Sequence, residues 1–549
     1  MRLWPVLAVP VVVATCAAEL APSEAFYETL RLRTLDPERV HAAFTFDLEA
    51  DAASLHHFGV LPRALLQPVA SLGVDEMRLA MSAGRWDYAA WGRPGADTRG
   101  DDGVASGAEI SAQFGPADAA VHNATLAQRW RVLTSALASV FCASLDGIDA
   151  DTTVALDARM VPRAMAAAPP TAQLHAYLPS ERVCTENITP LLKLLPCKGG
   201  AGLASLVRTH AVLSAEFHGV SVHVQRRGPS GWHVVLRLHA VMRTPNATFT
   251  TLFGRALTHA CPVAAHSAVE VETPGAPPAP APTHVPDDDD DDERADPYVR
   301  PTAVYTYDTR SLAAWDGVLD VQVPSAAGTL ARRPPLLATR QVQGAGQERN
   351  EVRLTLRNDL AAEAVHVVYF DHLPWSVLPL MHTLAAHATV DAYGARRRAM
   401  RLTPDESDER VRYRDDVDAP FVTHTEYTPA QLRGATGAVA LTLRVPASST
   451  LTVTYTLVKQ MLHYSEHVPD PHRGIDLSPA LFVPLDAGVW RPAARVQPTR
   501  LYAPPSLLDI AVPDFSMPYN IILFYSTFVA LFFGSLLNNM MRRYSDVYR

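Results

Sequence analysis

Between Tyr519 and Met541 the chain carries no charged residue, most of the run is Ile, Leu, Phe, Val and Ala, and Arg542 and Arg543 close it. An apolar run of roughly 20 residues matches the ~30 Å hydrocarbon core of a bilayer when it is helical. Only a helix or a closed barrel satisfies every backbone polar group in lipid. One membrane helix over 518–541 is therefore expected. Asp509 and Asp514 precede it, whereas Arg542, Arg543 and Arg549 follow, which places the short tail, 542–549, on the cytoplasmic side. The bulk of the chain then lies on the opposite face of the membrane.

The N-terminus agrees with this topology. Met1 and Arg2 are followed by an apolar run from Leu3 to Val13 and by small residues around Ala17 and Ala18, which reads as a cleaved signal peptide over residues 1–18. The alternative, a retained signal-anchor, needs a longer apolar run than this one. What remains is a single-pass type I protein of a secretory-pathway membrane, with room for two domains.

A net charge of −9 with 48 basic residues leaves no electrostatic footprint for nucleic acid. Of five cysteines, Cys16 leaves with the signal peptide, and Cys142, Cys184, Cys197 and Cys261 remain in a compartment where disulfides persist. Four cysteines allow three internal pairings, or one bond to a partner with a thiol left over. There is no CxxC pair, so nothing suggests a zinc ribbon or a thioredoxin-like site.

Along the chain, Ala21 to Val40 reads as a short polar helix, and Phe44, Phe46 and Leu48 alternate as in a half-buried strand. Trp86, Tyr88 and Trp91 in GRWDYAAWG form an aromatic group expected to be a packed corner. Residues 124–146 place Leu126, Trp130, Leu133, Leu137 and Phe141 on one helical face, with Asn123 as a candidate cap. Asn123 also begins an N-x-T glycosylation acceptor, as do Asn246 and Asn187, the last disfavoured because Pro190 follows. Val220, Val222 and Val224, then Val234 to Met242 in alternation, flank a Gly/Pro turn and predict a hairpin.

A Pro/Ala run and six aspartates, Asp287 to Asp292, predict a disordered linker over 273–298 between domains at 19–272 and 299–512. Six adjacent carboxylates lack the spaced ligands and turn glycine of a calcium loop. The second region alternates at Val318–Val323, Val352–Leu356, Val365–Phe370, Val439–Val445 and Leu451–Leu457. The last two runs flank Pro446–Ser449 and read as another hairpin. The fold class is mainly β, with β-sandwich-like regions, a few helices and one C-terminal transmembrane helix.

Signatures of catalysis are missing: no HExxH, P-loop, nucleophile elbow or dinucleotide fingerprint occurs. Gly199, Gly200 and Gly202 lack the spacing of a phosphate cradle and read as a flexible turn. Cys184 as a nucleophile would need a histidine that no pattern supplies. His463, His467, Asp470, His472 and Asp476 are spaced for a metal, but Pro469 and Pro471 break the helix that would align the histidines. No catalytic residue, metal or cofactor is assigned.

Five stretches in collinear order resemble the PIG-T subunit family of GPI transamidase: GRWDYAAWG at Gly84–Gly92, VCTENITPLLKLLPC at Val183–Cys197, YFDHLPW at Tyr369–Trp375, KQMLHYSEHVPDPHRGIDLSPA at Lys459–Ala480, and PDFSMPYN at Pro513–Asn520. The likeness runs from about residue 20 to Arg543 and leaves out the Pro/Asp-rich insert. It implies a non-catalytic subunit of an endoplasmic-reticulum membrane complex that replaces a C-terminal signal on a precursor protein with a GPI lipid. The implied partners are PIG-K, which is catalytic, GPAA, PIG-S and PIG-U, with precursor and lipid met indirectly. It also implies a disulfide from Cys184 to the catalytic subunit. An internal Cys184–Cys197 bond is the alternative, and Cys142, Cys197 and Cys261 then supply at most one internal pair. The competing functions are a stand-alone lumenal cysteine hydrolase and a single-pass receptor or cargo-binding protein. Within the membrane run, Gly534, Ser535 and Asn538 offer small and polar groups for packing against another helix.

Overall fold

The computed structural model describes residues 24–50, 59–92, 94, 104–115, 125–156, 172–228, 231–244, 247–273, 277–285, 303–324, 336–344, 346–360, 363–390, 399–401, 420–467, 473–485, 500–512, 516–543 and 545. The expected signal peptide, Asn123, Asn246 and the six aspartates lie outside them.

The segment expected to be a short polar helix is a strand. In β1 (Glu24–Asp36) residues alternate between buried and half-buried along most of its length, and Phe26, Leu30 and Leu32 all point to one face. That period of two is the strand period. The polar residues between them suggest a solvated helix, but Tyr27, Thr29 and Arg31 line the other face of a sheet and Glu28 is buried with the apolar ones. β1 pairs antiparallel with β2 (Arg39–Ala50), which carries the expected Phe44, Phe46 and Leu48, all buried.

These strands begin a ten-stranded sheet with β3 (Val74–Ala83), β4 (Gly107–Phe114), β5 (Thr153–Leu156), β6 (Ala172–Leu178), β7 (Phe217–Arg227), β8 (Gly231–Arg243), β9 (His266–Thr273) and β10 (Ala303–Asp308). Their order is β10-β9-β1-β2-β8-β7-β3-β4-β6-β5. β7 and β8 form the expected hairpin, in register from Phe217 opposite Val241 to Arg227 opposite Gly231.

Helices cover one face of this sheet: α1 (Arg63–Ser71), α3 (Leu126–Phe141), α4 (Thr185–Lys193), α5 (Thr209–Leu213) and α6 (Phe249–Phe253), with the one-turn α2 (Tyr88–Trp91) on the other face. Leu133, Leu137 and Phe141 of α3 and Ile188 and Leu191 of α4 are fully buried against Val220, Val222, Val234, Leu236 and Leu238. The cap of α3 is Thr125, not Asn123: its hydroxyl accepts from Gln128 N, and the Gln128 side chain accepts from Thr125 N. The reciprocal pair satisfies two otherwise orphaned donors.

The boundary differs from the sequence-based expectation. β10 lies beyond the acidic run yet pairs with β9, and Tyr307, Leu319, Val321 and Val323 belong to the first core. The stretch 277–285 is anchored too: Tyr307 Oη donates to Pro280 O at 2.8 Å, and Thr283 N donates to Thr306 O at 3.0 Å. Val318–Val323 is therefore part of the first unit and not a strand of the second.

The second unit has Leu336 as its first described core residue. Its strands are β11 (Leu336–Gln343), β12 (Arg349–Asn358), β13 (Val365–Leu373), β14 (Val377–Val390), β15 (Ala399–Arg401), β16 (Val422–Thr428), β17 (Gly437–Val445), β18 (Ser449–Lys459), β19 (Ile475–Leu477), β20 (Leu481–Pro484), β21 (Leu501–Tyr502) and β22 (Ser506–Leu508). One sheet runs β11-β12-β18-β14-β15 and the other β16-β17-β13-β20-β21, while β19 and β22 pair by themselves. Two sheets face each other across one core, a sandwich as expected.

The expected β17–β18 hairpin does not form. β17 pairs with β13 and β16, whereas β18 pairs with β12 and β14. Pro446–Ser448 carries the chain from one sheet to the other, so Leu441 and Leu443 meet Leu451 and Val453 across the core. Alternation looks the same in both arrangements, because each strand buries every second residue either way.

The sheet containing β13 is buried on both faces. Val367, Tyr369, Leu441 and Phe482 enter the sandwich core. Val368, Phe370, Ala440 and Val483 pack with Trp86, Trp91, Tyr177 and Phe217 of the first unit. Double burial explains why β13 and β20 read as continuous buried runs.

Candidate functional site

Three of the five recognised stretches fall at two places. GRWDYAAWG and YFDHLPW meet where the two units pack. Trp86 Nε1 donates to Gly92 O at 2.9 Å, its ring stands edge-on to Trp91 and to Phe217, each at 5.3 Å, and Phe370 lies in the same cluster. Tyr88 Oη accepts from Tyr502 N, and Tyr502 Oη donates to Glu109 at 2.8 Å. The aromatic corner is thus a joint, with its polar tips bonded across it. His175 of β6 and His372 of β13 stand edge-on at 5.6 Å. Burial drives both imidazoles to the neutral form, His372 down to about 4.

VCTENITPLLKLLPC builds the other place. Val183, Ile188, Leu191 and Leu195 are buried in the first core, while Thr185, Glu186 and Thr189 are exposed and Cys184 is half-buried. This spacing is the apolar stripe of a surface helix. Cys184 is the N-cap position of α4. Its backbone N–H donates to Asn187 Oδ1 at 2.7 Å, and Asn187 Nδ2 donates to Phe141 O at 2.9 Å and Cys142 O at 3.4 Å. The Asn187 side chain is fully buried. It is a capping and tethering group, and a glycan on it would have to displace three hydrogen bonds in the core. The third acceptor motif is accordingly structural.

The cysteines divide clearly. Cys197 bonds to Cys261, with Cα atoms 6.1 Å apart, so the alternative Cys184–Cys197 pairing is not formed. Cys142 is an exposed thiol and Cys184 a half-buried one. Cys142 occupies the left-handed C-cap of α3, with φ 52°.

The glycine turn after Cys197 has a tight requirement. Gly202 has φ +69°, and a Cβ there would lie 2.5 Å from Glu28 Oε1 and 2.7 Å from Cys261 Cβ. Glu28 is buried; its Oε2 accepts from Leu203 N at 3.1 Å and its Oε1 from Ser267 Oγ at 2.6 Å. Burial pushes this carboxyl up to about 7, against the pull of both hydrogen bonds. The native state therefore holds a proton between pH 4.5 and about 7 that the unfolded chain has released. Stability falls as pH rises through that window, by about 3 kcal/mol in all. Glu28→Gln, which keeps the shape without the charge, is expected to be near neutral at the acidic end and stabilising above neutrality. Thermal denaturation across the window checks this; a difference from wild type that does not vary with pH would refute it.

Other expected residues are not assembled. His463 and His467 flank a single turn, Tyr464–Glu466, and Asp476 pairs with Arg473 at 2.8 Å. Asp470 and His472 lie outside the described residues. A cluster that sequence spacing did not reveal is Asp47, Glu49 and His233 on adjacent strands. His233 Nε2 is 2.6 Å from Asp47, and Arg227 donates to Glu49 and to His233 Nδ1. With the guanidinium already bonded to two of the three groups, the arrangement is an ion network of the sheet.

The profile of the Gpi16 subunit, GPI transamidase component, matches residues 10–244 and 238–548. The chain belongs to the Gpi16 family. It is 27% identical to the mouse GPI-anchor transamidase component PIGT over 96% of this chain and 91% of that protein. The Homo sapiens component PIGT is also 27% identical, over 96% and 92%. The GPI transamidase component PIG-T homolog of Schizosaccharomyces pombe is 26% identical over 95% and 90%. Among solved structures, the RrgA Jo.In complex covers 32% of this chain and 79% of its own at 12% identity, with a TM-score of 0.19, too low to define a shared fold.

This Gpi16-family chain also has the expected apolar helix, Ser516–Met541, of which Tyr519–Met541 is long and apolar enough to cross a membrane. Gly534, Ser535 and Asn538 are exposed on it, and a Cβ at Gly534 would meet nothing within 4 Å.

Proposed function

We propose that this GPI transamidase component is a non-catalytic subunit that stabilises and orients the protease-like subunit, PIG-K, through a disulfide at Cys184. The observation that carries this reading is the state of the two cysteines in one motif. Cys197 is already bonded to Cys261, whereas Cys184 sits partly exposed on a helix cap that Asn187 ties to α3. A thiol on a rigid element meets a partner in one orientation, which a loop thiol does not.

The β-rich units at 19–272 and 299–512, with the boundary shifted by β10 as described, would lie in the lumen of the endoplasmic reticulum. The signal peptide would be cleaved and the tail at 542–549 cytoplasmic. Gly534, Ser535 and Asn538 would pack against the membrane helices of partners such as GPAA, PIG-S and PIG-U, since small residues permit close approach in lipid. Asn123 and Asn246 are the proposed glycan acceptors.

The test is a non-reducing gel of the complex isolated in mild detergent. Wild type and Cys142→Ser should both show a higher-mass species containing PIG-K, and Cys184→Ser should show none. A wild-type chain that migrates alone without reductant, or a purified chain that turns over a peptide substrate without partners, would reject the reading.

A further inference from the structure

Beside α4 lies an open cleft of about 770 Å³, within the size range of ligand sites. Its floor is apolar, with Val207, Met242, Leu252 and Phe253 buried beneath it. Its rim carries Arg208 before α5, Arg243 at the end of β8 and Arg255 after α6, together with His210. Among the described residues no carboxylate lines it, in a chain whose net charge is −9. Arg243 is held by Glu38 at 2.6 Å. Arg208 and Arg255 form no ion pair among the described residues, and Gly254, at φ +72°, leaves the room that Arg208 uses: a Cβ there would fall 2.8 Å from its Nη1.

The cleft adjoins Cys184. Thr189 and Leu192 of α4 form part of its wall, and Thr189 is five residues from Cys184, roughly 8 Å along a helix at ~1.5 Å per residue. A polypeptide bonded at Cys184 therefore reaches the cleft mouth within a few residues.

We infer that this cleft binds an acidic, partly apolar segment of the same protein that forms the Cys184 disulfide. The inference rests on the function proposed above. The guanidinium groups of Arg208 and Arg255, on separate elements and without an ion pair among the described residues, stand across an apolar floor, which suits carboxylates along a chain with a hydrophobic side chain between them. A lone phosphate would use converging donors and gain nothing from the floor. Charge complementarity of this kind sets orientation and encounter rate, so the cleft would align the partner before the disulfide closes.

The test uses the assembled complex with a photo-crosslinking residue at Ala211, which lines the cleft. Mass spectrometry should place the crosslink on an acidic segment of the chain disulfide-bonded to Cys184. In a Cys184→Ser background, Arg208→Glu with Arg255→Glu should lower partner retention by about tenfold, with the thermal midpoint of the isolated chain unchanged. Arg208→Lys with Arg255→Lys should retain most of it. A crosslink to another chain or to glycolipid, no crosslink while the disulfide is present, or displacement of the partner by inorganic phosphate overturns the inference. Loss of the disulfide itself in wild type overturns the underlying reading as well, so the two failures are distinguishable.

Discussion

Asp371→Ala is expected to destabilise the sandwich by roughly 3–5 kcal/mol, the largest effect of any single substitution considered. Asp371 Oδ2 accepts from Arg340 Nη1 at 2.7 Å, with both side chains essentially inaccessible, and from Tyr369 Oη at 2.8 Å. Tyr369 Oη is in turn 2.9 Å from Tyr455 Oη. β11 and β18 belong to one sheet and β13 to the other, so this network pins the two sheets together through the core. Burial disfavours the Arg340 charge, and Asp371, helped by Tyr369 and Tyr455, more than restores it. Removing the carboxylate leaves a buried guanidinium whose remaining side-chain hydrogen bond among the described residues is to Ser506 Oγ, at 3.4 Å. Arg340→Met with Asp371→Leu is expected to recover most of the loss, because two apolar groups leave no orphaned charge. Denaturant unfolding of wild type, Asp371→Leu, Arg340→Met and the double variant measures the coupling. If Asp371→Ala costs less than about 1 kcal/mol, the size of an ordinary hydrogen bond, the pinning role is wrong.

The second large effect is expected from Cys197→Ala with Cys261→Ala. The bond spans a sequence separation of 64, and closing a loop of that length in the unfolded chain is worth about 4 kcal/mol in the chain-entropy model. For a domain of this size that corresponds to a fall of roughly 2–4 °C in thermal midpoint per kcal/mol. Alanine avoids leaving a polar group at Cys261, which is buried in the first core. The bond also ties the turn after α4 to the segment entering β9, so its loss should loosen α4 and lower the yield of the Cys184 adduct. Calorimetry and the non-reducing gel read the two consequences separately. An unchanged midpoint would show that Gly202, Glu28 and the packed core hold this turn without the bond.

How much of this was legible beforehand depended on whether a feature was local. The amphipathic stripe of α3, the β7–β8 hairpin and the apolar C-terminal helix each follow from periodicity over a dozen or so residues, and each is present. The first strand was misread because its polar residues are not solvated: Glu28 lies on the same buried face as Phe26, Leu30 and Leu32, while Arg31 and Arg33 line the other face half-buried. Glu28 is buried against the Gly202 turn, and Arg31 pairs with Glu272 at 3.0 Å. The β17–β18 hairpin was misread because alternation does not say whether a strand's neighbour lies beside it or across the core. At the candidate site, the motif around Cys184 is visible in the sequence, but that it forms a surface helix is not read from it. Asn187 reads as an acceptor, disfavoured only for Pro190, because its carbonyl partners at the end of α3 are 46 and 45 residues away in sequence.

By itself, then, the amino-acid order determined a mainly β protein with one apolar membrane-length helix, because hydrophobic periodicity and run length are properties of neighbouring residues. Tertiary structure alone decided which cysteines pair, where the first unit ends, and what surrounds Cys184. Each depends on contacts between distant residues: Cys197 with Cys261, β10 returning to β9 past the acidic run, and α4 held to α3 beside a cation-rimmed cleft. Side-chain chemistry set what those groups would do on meeting, and the packing of the sheet and its helices determined which of them met.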